Sequence, residues 1–235
     1  MLIGIAGMVG SGKTTLARAL ASRFGLQLAL ESVDGENPWL EPFYSSPDGM
    51  KTYALPLQLH FLATRFQSMR RMRGLGGSWV LDRTWYEDAE VFAAGHHEQG
   101  LLTKEEWQLY RRLYAELLHA PAARPPRLLI YLHPPKGVIL ARLAQRNRAS
   151  EREADPAYWE QLHARYAGWI HTFRHCPVLF IDVRDYDLFS DPGGAAEGIA
   201  ARVRQRLERE LPQTELWPAA MSRKPDLGAF SRGMT

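Results

Sequence analysis

The 235-residue chain is 46% apolar and 23% charged, which is typical of a globular protein long enough to bury a large core in one domain. Its formal net charge of +3 is too small to require a nucleic acid or a membrane surface as partner. A single cysteine, Cys176, excludes an internal disulfide, and no apolar stretch approaches the length of a transmembrane helix, so we expect a cytoplasmic protein.

The chain begins with the pattern of a phosphate-binding loop. An apolar strand over residues 2–6 and a helical pattern over residues 14–24, which stops at Gly25, flank the sequence "GMVGSGKT". Glycines let successive backbone N–H groups curl around an anion, and the following helix directs its positive dipole end to the same anion. In this pattern Lys13 reaches the terminal phosphates and the Thr14 hydroxyl binds magnesium. The residues predicted to hold the nucleotide are Gly7, Met8, Val9, Gly10, Ser11, Gly12, Lys13, Thr14 and Thr15.

Further strands and helices follow in alternation. The strands are predicted over residues 26–30, 79–81, 128–132 and 178–181. The helices are predicted over residues 50–73, 85–94, 103–118, 136–148, 155–175 and 195–211. Pro56 predicts a kink or a shifted start in the first of these helices, and Thr103 with Glu106 forms a capping box.

This alternation predicts a three-layer α/β fold, with a parallel five-stranded sheet flanked by helices on both faces. Ligands bind such sheets at the carboxyl ends of the strands, where Glu31, Asp82 and the phosphate loop all fall. We expect one domain over residues 1–211 and a partly disordered tail over residues 212–235. Cleavage of an N-terminal leader would remove the first strand, so we expect no signal peptide.

A phosphate-binding loop alone does not identify a reaction, because GTPases, motor ATPases and small-molecule kinases all contain one. GTPases of the Ras type also need a guanine-reading Asn-Lys-x-Asp sequence, which this chain lacks. The choice between a kinase and an ATPase therefore depends on residues further along the chain.

Five stretches resemble the deoxynucleoside kinase family, and in particular its bacterial deoxyadenosine/deoxycytidine kinases. Three of them are "LESVDGENPWLEPFY" at residues 30–44, "LDRTWYEDAEVFA" at 81–93 and "YWEQLHARYAGWIHTFRHCPVL" at 158–179. The stretch "RLAQRNRASE" at 142–151 resembles the family's arginine-rich lid, and "IDVRDYDL" at 181–188 resembles its adenine-holding loop. The resemblance implies a P-loop NTPase-type fold, transfer of the ATP γ-phosphoryl group with Mg²⁺, and a homodimer.

The same resemblance assigns the catalytic groups. Glu31 is expected to be the general base that takes the proton of the sugar 5′-hydroxyl, although a solvated turn acid has the same sequence signal. Asp82 is expected to share the magnesium ion with Thr14. Arg83 is expected to bridge the 5′-oxygen, the phosphates and Glu31, with a structural ion pair as the alternative. Thr84 stands where serine is usual in the family.

Four residues are candidates for reading the nucleoside base. Gln58 and Arg65 are seven residues apart and so share one helix face, and Asp88 accepts from an exocyclic amino group while Arg65 holds it. This favours adenine or cytosine; guanine can also fit, whereas thymine presents a carbonyl to Asp88. Phe92, one turn after Asp88, is expected to stack on the base or to pack in the core.

The resemblance further implies that Tyr44 and Glu151 bind the sugar 3′-hydroxyl. Arg142, Arg146 and Arg148 lie within seven residues and are expected to close over ATP, where arginines neutralise the charge of the transferring group. A solvated helix face or a nucleic-acid patch is the alternative for these arginines.

The expected activity is therefore transfer of a phosphoryl group from ATP to the 5′-hydroxyl of deoxyadenosine or deoxycytidine. The partners are these small molecules and a second copy of the chain, without nucleic acid or membrane. A deoxyguanosine kinase is one alternative, and a P-loop ATPase or nucleotide sensor without a small acceptor is another.

Overall fold

The computed structural model describes residues 1–30, 37–135, 137–139, 141–142 and 156–210. The predicted site residues Glu31, Arg146, Arg148 and Glu151 lie outside these ranges, as does the predicted tail over 212–235. Of the predicted arginine-rich lid, only Arg142 lies among the described residues.

Strands and helices alternate along the chain. The strands are β1 (Leu2–Gly7), β2 (Gln27–Ala29), β3 (Trp79–Asp82), β4 (Leu128–His133) and β5 (Val178–Asp182). The helices are α1 (Lys13–Phe24), α2 (Leu40–Ser45), α3 (Gly49–Leu75), α4 (Trp85–Glu87), α5 (Ala94–Glu98), α6 (Lys104–His119), α7 (Pro156–Thr172) and α8 (Pro192–Glu210). A π-helical segment, Asp88–Ala93, connects α4 to α5, and residues 137–139 and 141–142 are helical.

The five strands form one parallel sheet in the order β2-β3-β1-β4-β5, which confirms the predicted fold class. Its two faces are both covered. Along β4, Leu128, Ile130 and Leu132 join the core under α1 and α8, whereas Leu129 and Tyr131 join the core under α3 and α7. This alternation explains why β4 reads as a continuous apolar run rather than as an amphipathic strand.

Three helical segments differ from the prediction. The predicted helix over 85–94 is instead α4, the π-helical segment and α5, because apolar spacing does not distinguish one helical period from the other. Helix α2 was not predicted, since six residues are too few to show a period. Helix α8 begins three residues earlier than predicted, at Pro192, where Asp191 Oδ1 accepts from the N–H of Gly194 at 2.9 Å as a cap.

Helix α3 runs without interruption through Pro56, so the proline does not shift its start. The predicted capping box before α6 is present: Thr103 accepts from the N–H of Glu106, and Glu106 accepts from the N–H of Thr103. Among the described residues, no helix combines the length and the apolar character needed to cross a membrane.

Candidate active site

The phosphate loop connects the carboxyl end of β1 to the start of α1. Gly10 and Gly12 have φ angles of 78° and 95°, a region that glycine enters without strain. A Cβ atom on Gly7 would lie 2.7 Å from the carbonyl oxygen of Leu132 on the neighbouring strand. The cap residue of α1 is Gly12, which has no side chain to bond the first N–H groups of the helix, and such N–H groups bind anions.

Lys13 is folded over this loop. Its ammonium group donates to the carbonyl oxygens of Gly7 at 2.9 Å and Met8 at 3.0 Å, and the residue is 7% exposed. The cation therefore lies inside the curve of the loop, beside the N–H groups that would meet a phosphate.

Asp82 and Thr14 form an oxygen pair beside the loop. The Thr14 hydroxyl donates to Asp82 Oδ2 at 2.5 Å, while the other oxygen, Oδ1, is buried without a hydrogen-bond partner among the described residues. The pair arises from strand register, because Asp82 on β3 lies opposite Ile5 on β1. Mg²⁺ prefers a carboxylate and a hydroxyl oxygen together with phosphate oxygens and water, so the residues fit this ion.

Arg83, directly after Asp82, is buried and adopts a φ of 74°, which is unusual for any residue but glycine. Its Nη1 atom lies 2.5 Å from the hydroxyl of Tyr166 and 3.5 Å from Oε1 of Glu87. The guanidinium also lies 5.0 Å from the ring centre of Phe92. Arg83 thus takes part in an ion pair, the alternative role for this residue, at the edge of the predicted site.

The proposed base readers come together from α3 and the π-helical segment. Arg65 Nε donates to Asp88 Oδ2 at 2.8 Å, and both side chains are almost fully buried. Arg65 also donates to the backbone carbonyl of Asp82 at 3.4 Å, which connects this pair to the phosphate side. Gln58 is buried, and its Oε1 atom has no hydrogen-bond partner among the described residues.

A cavity of about 50 Å³ lies between α3 and the carboxyl ends of β2 and β3. Arg65 and Arg83 both line it, together with Phe61 and Trp85. Leu30 also lines it and is the residue immediately before Glu31 in the chain.

Two further predicted residues, Tyr44 and Arg142, make contacts with aromatic rings. Tyr44, on α2, packs between the rings of Phe43, Tyr158 and Trp159. The Arg142 guanidinium lies 4.1 Å from the ring centre of Phe189, just after the predicted adenine-holding loop.

Glu87 was not predicted as a site residue, although it lies between the phosphate loop and Arg83. It is fully buried, and its Oε1 accepts from the N–H of Gly7 at 3.2 Å and from the hydroxyl of Tyr166 at 3.0 Å. Burial raises the pKa of Glu87, while the charges of Arg83 and Lys13 oppose that rise. The sequence signal that could have drawn attention to Glu87 is its spacing of three residues from Thr84, which is that of a capping box. The structure contains this capping box.

These features define a class of protein. The phosphate loop, Lys13 and the Asp82–Thr14 pair are typical of proteins that bind a nucleoside triphosphate through a P-loop on a parallel sheet. The family model of deoxynucleoside kinases matches residues 3–207, so the chain belongs to the deoxynucleoside kinase family, whose members are phosphotransferases.

Similar proteins agree with this family. The chain is 40% identical to the deoxyadenosine/deoxycytidine kinase of Bacillus subtilis over 190 residues, 81% of this chain and 86% of that protein. It is 32% identical to a deoxyguanosine kinase of Lactobacillus acidophilus over 197 residues, 80% of this chain and 83% of that protein. The solved structure of deoxyadenosine kinase from M. mycoides with bound dCTP has the same fold, with a TM-score of 0.73 at 22% identity. The two structures align over 87% of this chain and 100% of the M. mycoides chain.

Proposed function

We propose that this kinase transfers the γ-phosphoryl group of ATP, with Mg²⁺, to the 5′-hydroxyl of deoxyadenosine or deoxycytidine. The observation that carries the proposal is the buried Arg65–Asp88 pair, which touches the backbone of Asp82 and so links a base-reading group to the phosphate site. The name of the Bacillus subtilis relative supports the same two nucleosides.

The base preference follows from the donors and acceptors that Asp88 and Gln58 carry. Arg65 presents its Nε to Oδ2 of Asp88, so the carboxylate is oriented and remains an acceptor. The buried amide of Gln58 offers both a donor and an acceptor to the same base edge. Adenine and cytosine supply an amino group that donates to Asp88, whereas thymine places a carbonyl, a second acceptor, against the carboxylate.

On the phosphate side, the N–H groups of the loop and the ammonium of Lys13 bind the β- and γ-phosphates. To do so, Lys13 exchanges its bonds to the Gly7 and Met8 carbonyls for bonds to phosphate oxygens. Asp82 and Thr14 would hold the Mg²⁺ ion, which would neutralise phosphate charge. The fit of this ion is supported by Oδ1 of Asp82, a buried acceptor without a partner in the described part of the chain.

Transfer then needs a base and cations near the reacting atoms. We assign the base role to Glu31, which follows the cavity-lining Leu30 and would orient the 5′-hydroxyl for in-line attack. Arg83 lines the same cavity and would bond the 5′-oxygen and the γ-phosphate. Arg146 and Arg148 would close over the transferring group with Arg142, which already lies against Phe189.

Three further contacts complete the proposed substrate site. Phe92, whose ring lies beside Arg83, would stack on the base, and Tyr44 and Glu151 would bind the 3′-hydroxyl. Tyr44 is supported by its position on α2 among aromatic rings, which would fix the direction of its hydroxyl.

Deoxyguanosine is a second candidate substrate. A relative named deoxyguanosine kinase matches over most of the chain, and Asp88 can accept from the ring N–H of guanine. The test measures ADP formation with each of the four deoxynucleosides and with none. Turnover that depends on deoxyadenosine or deoxycytidine supports the proposal, preference for deoxyguanosine supports the second candidate, and equal turnover without an acceptor refutes both.

We also propose that the enzyme is a cytoplasmic homodimer without nucleic-acid or membrane partners. Leu109 and Leu113, four residues apart on one face of α6, are 49% and 41% exposed, and this apolar face suits a second copy of the chain. The small net charge of +3 is consistent with small-molecule substrates. Sedimentation of the purified protein distinguishes a dimer from a monomer.

A further inference from the structure

We infer that Glu87, acting together with Tyr166, is a positioning residue for phosphoryl transfer, because its carboxylate fixes Arg83 and the entrance of the phosphate loop in one arrangement. The inference rests on the proposed roles of Arg83 and of the loop. It assigns a function in the reaction to a buried acid that does not itself reach the substrate.

The first argument is what Glu87 connects. One oxygen, Oε1, accepts from the N–H of Gly7, the first residue of the phosphate loop, at 3.2 Å. The other, Oε2, accepts from the N–H of Thr84 at 2.9 Å, in the turn after β3. These donors lie at the carboxyl ends of two adjacent central strands, so the carboxylate connects the start of the loop to the turn that follows Asp82 and Arg83.

The second argument concerns the direction of Arg83. Its Nη1 donates to the Tyr166 hydroxyl at 2.5 Å, and that hydroxyl donates onward to Oε1 of Glu87 at 3.0 Å. A hydroxyl has one hydrogen, so Tyr166, whose oxygen accepts from the guanidinium, directs that hydrogen to Glu87 as a hydrogen bond. The directions of both hydrogen bonds are thereby fixed, and the guanidinium of Arg83 cannot rotate without breaking its bond to Tyr166.

The third argument is the backbone of Arg83. Its φ of 74° belongs to a region that costs free energy for a side chain with a Cβ, and such conformations persist only where neighbouring contacts hold them. Here the N–H of Arg83 donates to the carbonyl of Ile5 at 2.9 Å, and the next N–H, that of Thr84, donates to Glu87. Glu87 therefore holds both the side chain of Arg83 and the turn that presents it.

The chain offers a matched control three residues further on. Glu90 accepts from the hydroxyl of Tyr114 at 3.0 Å, the same bond length as in the Glu87–Tyr166 pair. Its other hydrogen bonds are to Trp169 Nε1 at 2.7 Å and His175 Nε2 at 2.9 Å, and none of the three reaches Gly7 or Arg83. Loss of the Tyr114 hydroxyl removes its hydrogen bond to Glu90, and loss of the Tyr166 hydroxyl removes its bonds to Glu87 and Arg83, so only the second loss frees an Arg83 hydrogen bond.

The experiment compares Tyr166→Phe with Tyr114→Phe, and Glu87→Gln with Glu90→Gln. It measures kcat, KM for ATP and for deoxyadenosine, and Tm. We expect Tyr166→Phe and Glu87→Gln to lower kcat by about 10- to 100-fold, the scale of a small misplacement of a reacting group, with much smaller changes in either KM. The controls Tyr114→Phe and Glu90→Gln should keep kcat near that of the wild type, even though the lost hydrogen bonds lower Tm.

Two results overturn the inference alone: a Tyr166→Phe variant with wild-type kcat, or an equal fall of kcat in Tyr166→Phe and Tyr114→Phe, which would indicate loss of stability only. If Glu87→Gln fails to fold, Tyr166→Phe decides, because it keeps the carboxylate and its bond to Gly7. A wild type without deoxynucleoside-dependent ADP formation refutes the proposed function itself, and the inference with it.

Discussion

A buried histidine provides a test of the electrostatics of this fold. His96, on α5, is 2% exposed, packs 5.1 Å from the ring centre of Phe43, and has no hydrogen-bond partner for either ring nitrogen within the described ranges. Burial, with a smaller contribution from the charge of Arg165, lowers the pKa of His96 from 6.5 to about 3. The folded protein therefore keeps the ring neutral at pH values where the unfolded chain protonates it.

The sign and size of the effect follow from these two values. The pKa of His96 is lower in the folded protein than in the unfolded chain. Protonation of His96 therefore does not reduce the free energy of unfolding above pH 6.5, and it reduces that free energy progressively as the pH falls from 6.5 towards 3. At pH 5 the loss from His96 alone is roughly 2 kcal/mol, from 1.36 kcal/mol per pH unit over the interval between 6.5 and 5. That is a large share of the ~5–15 kcal/mol by which domains are stable.

The assay is the urea unfolding free energy of the wild type and of His96→Leu at pH 7.5 and pH 5. An apolar side chain of similar size removes two unpaired buried nitrogens, so the variant should be at least as stable at pH 7.5. Its advantage over the wild type should grow by roughly 2 kcal/mol at pH 5. The matched control is His171→Leu, since His171 is exposed on α7. Parallel pH dependence of the wild type and His96→Leu would refute the reasoning.

The proposed site leads to three more predictions. Asp88→Ala and Arg65→Met are made together, so that neither buried charge is left without its partner. The double variant should lower kcat/KM for deoxyadenosine and deoxycytidine and raise it for thymidine. An unchanged ranking of the nucleosides would show that Asp88 and Arg65 do not read the base. Glu31→Gln should lower kcat by about 10²–10⁴-fold with little change in deoxynucleoside binding, and a near-normal kcat would show that it is not the base. Asp82→Asn should raise the Mg²⁺ concentration needed for half-maximal rate, measured by titrating the metal, whereas Gln58→Glu should leave that concentration unchanged.

The sequence predicted what depends on local pattern. The phosphate loop between β1 and α1 and the capping box at Thr103 were predictable because each signal lies within a few residues of the group it positions. The pairing of Arg65 with Asp88 was predicted from the donor and acceptor chemistry of the two side chains, and the structure has this contact at 2.8 Å.

What the sequence did not reveal depends on distant contacts. Glu87 lies 80 residues from Gly7 and 79 from Tyr166 in the chain, so no spacing rule connects them. Its capping-box spacing from Thr84 indicated a helix start, and only the register of β1 against β3 brings that start to the phosphate loop. The π-helical segment was missed for another reason, because its residues have the composition of an ordinary α-helix.

The two halves of the proposed site belong to different layers of the fold. Gly7 and Asp82 end adjacent central strands, and their separation is as fixed as the hydrogen bonding of the sheet. The residues proposed to read the base, Gln58, Arg65 and Asp88, belong instead to helical segments on one face of the sheet. Substitutions in these helices can thus change which base is accepted while the phosphate-transferring half stays intact, so that divergence in substrate choice need not begin with a loss of catalysis. This division suits the family, because relatives of this chain at 32–40% identity are named as kinases of different deoxynucleosides.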